Sequence, residues 1–285
     1  MTYREHRFRS ADDRLDLFAR DYPGDGPVLL MMHGLTRNSA DFEPLVAHLE
    51  GRYRLIVPDQ RGRGLSQNDP DAANYRPDTY SHDMFTLLSS LEIETANLVG
   101  TSMGGLMSMV MVAMQPERFP SIVLNDIGPE IDDAGLGRIA KFVGPRGAMT
   151  DWAEAAERTR ALNQHALRGL DADDWLAFAR RTCRETEAGE IEFAYDPRIA
   201  DAFAEPEGVA PVDLWPLWNA MSAHPVLLVR GETSDLLSRE TVARMEREHA
   251  GPFAFVDLPE RGHAPILDEP EAVAAITRFL SEHAR

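Results

Sequence analysis

A chain of 285 residues, 44% hydrophobic and 27% charged, has an ordinary globular composition and is long enough for one domain with a large insertion. Its 47 acidic residues against 29 basic ones give a formal net charge of −18, which excludes nucleic acid and anionic membranes as expected partners. Cys183 is the single cysteine, so intrachain disulfides and cysteine-rich metal sites are excluded as well.

The first ten residues contain no apolar signal segment, and no later run reaches the roughly 18 apolar residues of a membrane-spanning helix. We therefore expect a cytoplasmic protein without a membrane partner. Two alternating segments, Tyr3–Arg9 and Arg14–Ala19, flank a short polar turn. They predict an antiparallel hairpin at the start of the fold.

Short apolar runs bounded by turn residues then alternate with helical patterns. Apolar runs without internal alternation are typical of strands that helices cover on both faces. The predicted strands are Val28–Met32, Arg54–Val57, Ala96–Val99, Ile122–Asn125 and Pro225–Val229, with a further apolar run at Phe253–Leu258. The predicted helices are Ser39–Leu49, Thr79–Leu91, Met103–Gln115, Arg239–His249 and Pro270–His283. This alternation predicts an α/β fold with a mostly parallel, twisted sheet and helices on both faces.

One stretch, residues 130–219, interrupts the alternation. It carries helical patterns at Asp151–Leu167 and Asp171–Arg184 but no clear buried strand. We interpret it as a helical insertion that covers the carboxyl edge of the sheet as a lid. Residues 1–129 and 220–285 are then the core domain.

The strongest motif is G-x-S-x-G, which occurs as G-T-S-M-G at residues 100–104. It stands between a predicted strand and a predicted helix, the context in which a tight turn presents a serine above a sheet. The alternative, a glycine-rich turn that only packs a helix on a strand, is disfavoured by this context. Ser102 is therefore the predicted nucleophile.

A serine hydroxyl is a weak nucleophile at neutral pH and needs a base within hydrogen-bond reach. Among the nine histidines, His263 is the predicted base. It lies in a loop between the apolar run Phe253–Leu258 and the final helix, at the sheet edge expected for Ser102.

The base needs a carboxylate that holds its tautomer and stabilises the imidazolium. Asp235 follows the strand Pro225–Val229 and gives the chain order Ser, Asp, His, so it is the preferred candidate. The alternative is Asp126, directly after Ile122–Asn125, from which a carboxylate can also approach His263.

Backbone N–H groups must stabilise the oxyanion of a tetrahedral intermediate. We expect one from Met103, directly after the serine, and a second from Leu35 in the segment H-G-L-T at residues 33–36. His33 either braces this loop or borders the substrate pocket.

Large side chains in the insertion suggest an apolar pocket, although each of them could equally pack the insertion itself. With His33, the candidate pocket residues are Phe142, Met149, Trp152, Trp215 and Trp218. We expect no metal site.

Together these segments resemble the α/β-hydrolase superfamily, and within it the lidded, esterase-like members. The resemblance extends from about Val28 to the end of the chain and is weakest in the insertion. It implies a cofactor-free hydrolase that passes through an acyl-enzyme, with a lid that shapes the acyl pocket. Ser102 disfavours the members with an aspartate nucleophile, such as epoxide hydrolases and haloalkane dehalogenases.

Three hypotheses for the function remain. The first is a carboxylesterase or lactonase acting on a small or medium apolar ester. The second is a carbon–carbon hydrolase of diketones, in which Arg146, Arg160 or Arg180 binds a second carboxylate. The third is a non-catalytic ligand receptor with the same fold. All three imply a small-molecule partner, and no feature of the sequence indicates an oligomer.

Overall fold

A mostly parallel sheet forms the centre of the protein. The computed structural model describes residues 2–144, 147–203 and 213–285. The strands of the sheet are β1 (Arg4–Arg9), β2 (Asp16–Tyr22), β3 (Val28–Met32), β4 (Arg54–Asp59), β5 (Asn97–Thr101), β6 (Ile122–Asn125), β9 (Val226–Gly231) and β10 (Phe253–Leu258). Across the described ranges, their order is β1-β2-β4-β3-β5-β6-β9-β10. β2 pairs antiparallel with β1 and with β4, whereas every later pair is parallel, so the predicted hairpin and the predicted sheet are confirmed.

Helices cover this sheet where the sequence predicted them, with ends that differ by a few residues. The core helices are α1 (Glu43–Leu49), α2 (Pro77–Ser90), α3 (Met103–Met114), α8 (Arg239–Glu248) and α9 (Pro270–His283). The predicted helix at Ser39–Leu49 is divided into a 3₁₀ turn, Ser39–Phe42, and α1. Of the helices in the described part of the chain, none has the length and hydropathy needed to cross a membrane.

Two apolar clusters bury the two faces of the sheet. Because successive strand residues point to opposite faces, Leu98 of β5 belongs to one cluster and Val99 to the other. The first cluster includes buried residues of α2 and α3, and the second includes those of α1 and α9. Both faces are therefore shielded from solvent, which explains why apolar residues in these strands do not alternate with polar ones.

The chain between β6 and β9 forms a separate group of elements. They are α4 (Asp133–Phe142), α5 (Trp152–Asn163), α6 (Ala172–Thr182), the antiparallel strands β7 (Cys183–Glu185) and β8 (Ile191–Phe193), and α7 (Trp215–Ala220). The expectation of a purely helical insertion is corrected here, because the predicted helix Asp171–Arg184 ends at Thr182 and a strand begins. Residues 145–146 and 204–212 of the insertion lie outside the described residues. The role of this insertion as a lid stays a prediction.

The insertion shares apolar clusters and backbone hydrogen bonds with the core. Leu167, Trp175 and Phe178 pack with Ile266, which stands between β10 and α9. One small cluster consists of insertion residues alone: Met149, Ala155, Ala179, Cys183 and Ile191. The N–H of Gly262 donates to the carbonyl of Ala166 at 2.7 Å, and the N–H of Gly64 donates to that of Ala194 at 2.8 Å. The insertion is therefore anchored both at the His263 loop and at the loop after β4.

Candidate active site

Ser102 occupies the tight turn between β5 and α3. Its φ of 50° and ψ of −112° lie outside the regions that a serine ordinarily adopts. The flanking glycines are explained by close packing, because a Cβ at Gly104 would lie 2.0 Å from the Met32 carbonyl oxygen. At Gly100 it would lie 2.4 Å from the carbonyl oxygen of Gly104. The motif thus forms the strained turn expected for a nucleophile above the sheet edge.

Ser102, His263 and Asp126 form a continuous series of hydrogen bonds. Ser102 Oγ lies 2.8 Å from His263 Nε2, and His263 Nδ1 lies 2.8 Å from Asp126 Oδ2. A carboxylate only accepts hydrogen bonds, so Nδ1–H is the donor to Asp126 and Nε2 is left to accept from the serine hydroxyl. This is the protonation pattern in which an imidazole can remove the serine proton.

Asp126 is held in place by the end of β9 and by the loop that follows it. It is the first residue after β6, is fully buried, and has a φ of 56°. The N–H of Gly231 donates to its Oδ1 at 2.9 Å, and the hydroxyl of Ser234 donates to its Oδ2 at 2.6 Å. With His263, these donors satisfy a carboxylate that burial would otherwise destabilise.

Asp235 does not contact His263, which corrects the preference for Asp235 in the sequence analysis. It stands four residues beyond the end of β9, and the loop carries it to α4. There Arg138 donates from Nε to Oδ2 at 2.5 Å and from Nη2 to Oδ1 at 2.7 Å. Partial burial raises the pKa of Asp235, but the hydrogen bonds and charge of Arg138 outweigh it, so this pKa lies below its ordinary value. The end of β9 and its following loop thus supply hydrogen-bond donors to Asp126, and they do not supply the carboxylate that binds His263.

His33 is a structural brace beneath the loop that contains Leu35. It is fully buried, and the N–H of Gln60 donates to its Nε2 at 3.1 Å. Its proton is therefore on Nδ1, which donates to the carbonyl of Gly34 at 2.7 Å. Burial, with smaller contributions from the charges of Arg63 and Arg37, lowers the pKa of His33 to about 3. A neutral His33 fits the bracing interpretation, and it borders neither of the cavities beside Ser102.

Leu35 and Met103 both border the space next to Ser102. Met103 is the first residue of α3, so its N–H has no acceptor within the helix. Arg63 donates from Nε to the carbonyl of Leu35 at 2.9 Å and from Nη1 to the hydroxyl of Tyr80 at 2.8 Å, which fixes the Leu35 loop. This placement is compatible with the predicted oxyanion role of both residues, which stays a prediction.

Two cavities meet at Ser102. The first, which we call the His263 cavity, has a volume of about 120 Å³ and includes His263 but not Met103. Besides Ser102 and His263, its polar lining residues include Arg37, Asp41, Arg138, Thr159, Asn163 and Thr182. The second, the Met103 cavity, has a volume of about 650 Å³ and includes Met103 but not His263. Most of its walls are apolar, among them Pro77, Leu106, Ile127, Ile131, Leu136 and Leu236.

Of the candidate pocket residues in the insertion, one lines a cavity beside Ser102 and four do not. Phe142 lines the His263 cavity. The others lie elsewhere: Met149 in the small cluster of the insertion, Trp152 beneath the Arg180 guanidinium, Trp215 beneath that of Arg244, and Trp218 in the core against His249 and Phe253. These four side chains bury apolar surface instead of lining a cavity beside Ser102, and the expectation is corrected for them.

The arginines that do line a cavity were not among the sequence candidates. Arg160 and Arg180 border neither cavity, and Arg146 lies outside the described residues. Arg37 and Arg138 line the His263 cavity instead. A signal for Arg37 was present, since it follows the oxyanion segment H-G-L-T directly. Over the described ranges, no group of three His, Cys, Asp or Glu side chains is arranged to hold a metal ion.

Comparisons with known proteins agree with this fold. The family model for the α/β-hydrolase fold matches residues 27–175. The 3-hydroxybutyrate-oligomer hydrolase of Cupriavidus necator is 33% identical over 91% of this chain and 90% of its own length. The 2-(acetamidomethylene)succinate hydrolase of Mesorhizobium japonicum is 31% identical over 94% of this chain and 92% of its own. The crystal structure of an α/β hydrolase from Novosphingobium aromaticivorans superimposes with a TM-score of 0.91, at 41% identity, over 98% of both chains.

Proposed function

This chain belongs to the α/β-hydrolase family, and from that premise we propose that it is a serine hydrolase that cleaves carboxylic esters through an acyl-enzyme. The observation that carries the proposal is the hydrogen-bonded series from Ser102 through His263 to Asp126. Its three side chains come from three separate loops at one edge of the sheet. The base lies in direct contact with the nucleophile, as serine activation requires.

In the proposed mechanism, His263 Nε2 takes the proton of Ser102 as Oγ attacks the ester carbonyl carbon. Asp126 accepts the Nδ1 hydrogen bond and stabilises the imidazolium that forms. The N–H groups of Leu35 and Met103 hold the oxyanion. The imidazolium then protonates the leaving alkoxide, and the alcohol departs. In the second half, His263 activates a water molecule, which attacks the acyl carbon and releases the acid and free Ser102.

The similarity to the 3-hydroxybutyrate-oligomer hydrolase supports an ester over other acyl compounds, because oligomers of a hydroxy acid are joined by ester bonds. The insertion is proposed to act as the lid of the site. Its residues Ile139, Phe142, Leu162 and Phe193 form part of the wall of the His263 cavity.

The test compares wild type with Ser102→Ala on p-nitrophenyl acetate, butyrate and octanoate. We expect nitrophenol release to fall by roughly 10⁴-fold or more in Ser102→Ala, since removal of a triad nucleophile leaves only binding and oxyanion stabilisation. The matched control is Ser108→Ala. Ser108 lies on α3, its hydroxyl donates to the carbonyl of Gly104 at 2.9 Å, and it lines neither cavity.

A fluorophosphonate probe checks the same point without turnover. It should label wild type and Ser108→Ala, with the added mass on the peptide that contains Ser102, and leave Ser102→Ala unlabelled. A wild-type protein that is labelled at Ser102 but hydrolyses none of the esters contradicts the ester proposal. The carbon–carbon hydrolase hypothesis is then the next to test.

A further inference from the structure

We infer that each cavity binds one half of the ester. The Met103 cavity binds an apolar acyl group, and the His263 cavity binds a small leaving alcohol that carries a carboxylate. The substrate class is then an apolar acyl ester of a small hydroxy acid. This inference rests on the proposed ester hydrolysis, because it assigns the two halves of the substrate in that reaction.

The direction of the division follows from proton transfer. In the first half-reaction, the leaving oxygen must receive its proton from His263 Nε2, so the alcohol lies on the His263 side of Ser102. His263, Ala264 and Pro265 line the smaller cavity alone, whereas Leu35 and Ser102 line both. The reacting carbon therefore lies at the junction of the cavities. The acyl chain, which points away from the leaving group, extends into the Met103 cavity.

Size and polarity match this assignment. The Met103 cavity, at about 650 Å³ with mostly apolar walls, can bury a medium acyl chain. Each buried methylene improves binding by roughly fourfold. The His263 cavity, at about 120 Å³, is close in size to an engineered cavity of about 150 Å³ that binds benzene, so it has room for about six non-hydrogen atoms. A hydroxy acid of three carbons has that size.

The polar groups of the His263 cavity indicate an anionic alcohol. Arg37 is 16% exposed at its side chain and lies 4.3 Å above the ring of Phe178. It donates from Nη1 to Asp41 at 2.9 Å and from Nη2 to the side-chain oxygen of Asn163 at 3.4 Å. A guanidinium has five N–H donors in a planar fork, so these two bonds leave Arg37 donors for a second carboxylate. Arg138, in contrast, binds both oxygens of a single carboxylate, that of Asp235, through two short bonds, which is why we assign the recognition to Arg37.

The hydroxyl of Thr159 is the second, independent observation. Thr159 lies on α5, lines the His263 cavity and is 1% exposed. Its Oγ1 is buried, and its neighbour is the thiol of Cys183, which is only a weak hydrogen-bond partner. A buried hydroxyl with a weak partner is incompletely satisfied, and a stronger acceptor on a bound ligand would satisfy it better. A carboxylate between Arg37 and Thr159 provides that acceptor.

The experiment uses two esters that differ only in charge at the alcohol: the hexanoyl esters of 3-hydroxypropionate and of 3-hydroxypropionamide. The carboxylate and the amide have the same number of non-hydrogen atoms. We expect wild type to hydrolyse the carboxylate ester with a kcat/KM at least tenfold higher, the range expected for hydrogen bonds to a charged group. Equal rates on the two esters would overturn the inference.

Three variants test the two assigned residues. Arg37→Gln should reduce the tenfold preference to about twofold, and Thr159→Val should reduce it in part, while Thr159→Ser should retain it. The control is Arg160→Gln, the next residue on α5, whose side chain is exposed and borders neither cavity. A preference that survives in Arg37→Gln contradicts the assignment of Arg37.

The orientation is tested with the reversed ester, monohexyl succinate, in which the acyl half carries the carboxylate and the alcohol is apolar. We expect its kcat/KM to be at least tenfold below that of hexanoyl 3-hydroxypropionate, and the opposite order contradicts the division. Turnover of p-nitrophenyl esters that depends on Ser102 keeps the proposed function intact in either case. If no ester at all is hydrolysed, the proposed function itself has failed.

Discussion

β6 and β9 are neighbours in the sheet and end at the same edge, and each is followed by an aspartate, yet the two carboxylates have opposite environments. Asp126 is buried and accepts hydrogen bonds from uncharged backbone and hydroxyl donors in addition to His263. Asp235 is 35% exposed at its side chain and is neutralised by Arg138. The comparison indicates why Asp126 and not Asp235 binds His263: Asp126 directly follows its strand, and its other hydrogen-bond donors carry no charge.

The largest effect is expected when each of the two aspartates is replaced by asparagine, because kcat should then differ strongly between the two variants. We expect Asp126→Asn to lower kcat by roughly 10⁴-fold, because an amide can no longer hold the imidazole in the tautomer that accepts from Ser102. Asp235→Asn should lower kcat by less than about tenfold, because it loses the ion pair with Arg138 and a charge interaction with His263 but no hydrogen bond to the base. Ester hydrolysis at saturating substrate measures both, and circular dichroism checks folding. A larger loss in Asp235→Asn would reverse our assignment.

A smaller effect is expected when one donor to the buried acid is removed. Ser234→Ala deletes the 2.6 Å hydrogen bond to Asp126 Oδ2. A hydrogen bond to a charged group contributes about 1.5–3 kcal/mol, so kcat should fall by at least roughly tenfold. Thr233→Val is the matched control, since the Thr233 hydroxyl donates to the carbonyl of Arg261 instead. Equal kcat values for the two variants would show that the donor is not needed to position Asp126.

The smallest effect concerns the stability of the Arg138–Asp235 pair. Because the pKa of Asp235 is lowered in the folded protein, the pair stabilises it above the pKa of an unfolded aspartate, about 3.9. This contribution is lost as the pH falls through the lower, folded pKa. Arg138→Gln should therefore reduce the free energy of unfolding by less than about 1 kcal/mol at pH 7, and the deficit should disappear in acid. Urea unfolding at a series of pH values measures it, with Arg160→Gln as the control.

Ser102 and His263 were predictable because each stands in a loop at a strand end, and the glycines around the serine carry their own signal. The carboxylate that binds His263 was not predictable, since the chain order Ser, Asp, His holds for Asp126 as well as for Asp235. The choice depends on where a side chain points within a few residues of a strand end. That direction is set by the φ of 56° at Asp126 and by the donors from the neighbouring loop, which no spacing in the sequence encodes.

The secondary structure between β6 and β9 was predictable only in part. α4 contains two glycines, which lower helix propensity, so its pattern was weak. β7 and β8 are only three residues long and each contains charged residues, so neither forms an apolar run. Likewise, the cavities depend on residues distant in sequence, such as Arg37 and Thr159, that only the folded chain brings together.

The shared packing between insertion and core has a consequence for protein engineering. Ile266, three residues beyond His263, packs against Leu167, Trp175 and Phe178 of the insertion. The segment between β6 and β9 is therefore not an exchangeable module, because grafting a foreign segment in its place would leave Ile266 without its partners and the loop of the base without its support. A chimera that is meant to acquire another relative's selectivity must carry over the facing core residues together with the segment.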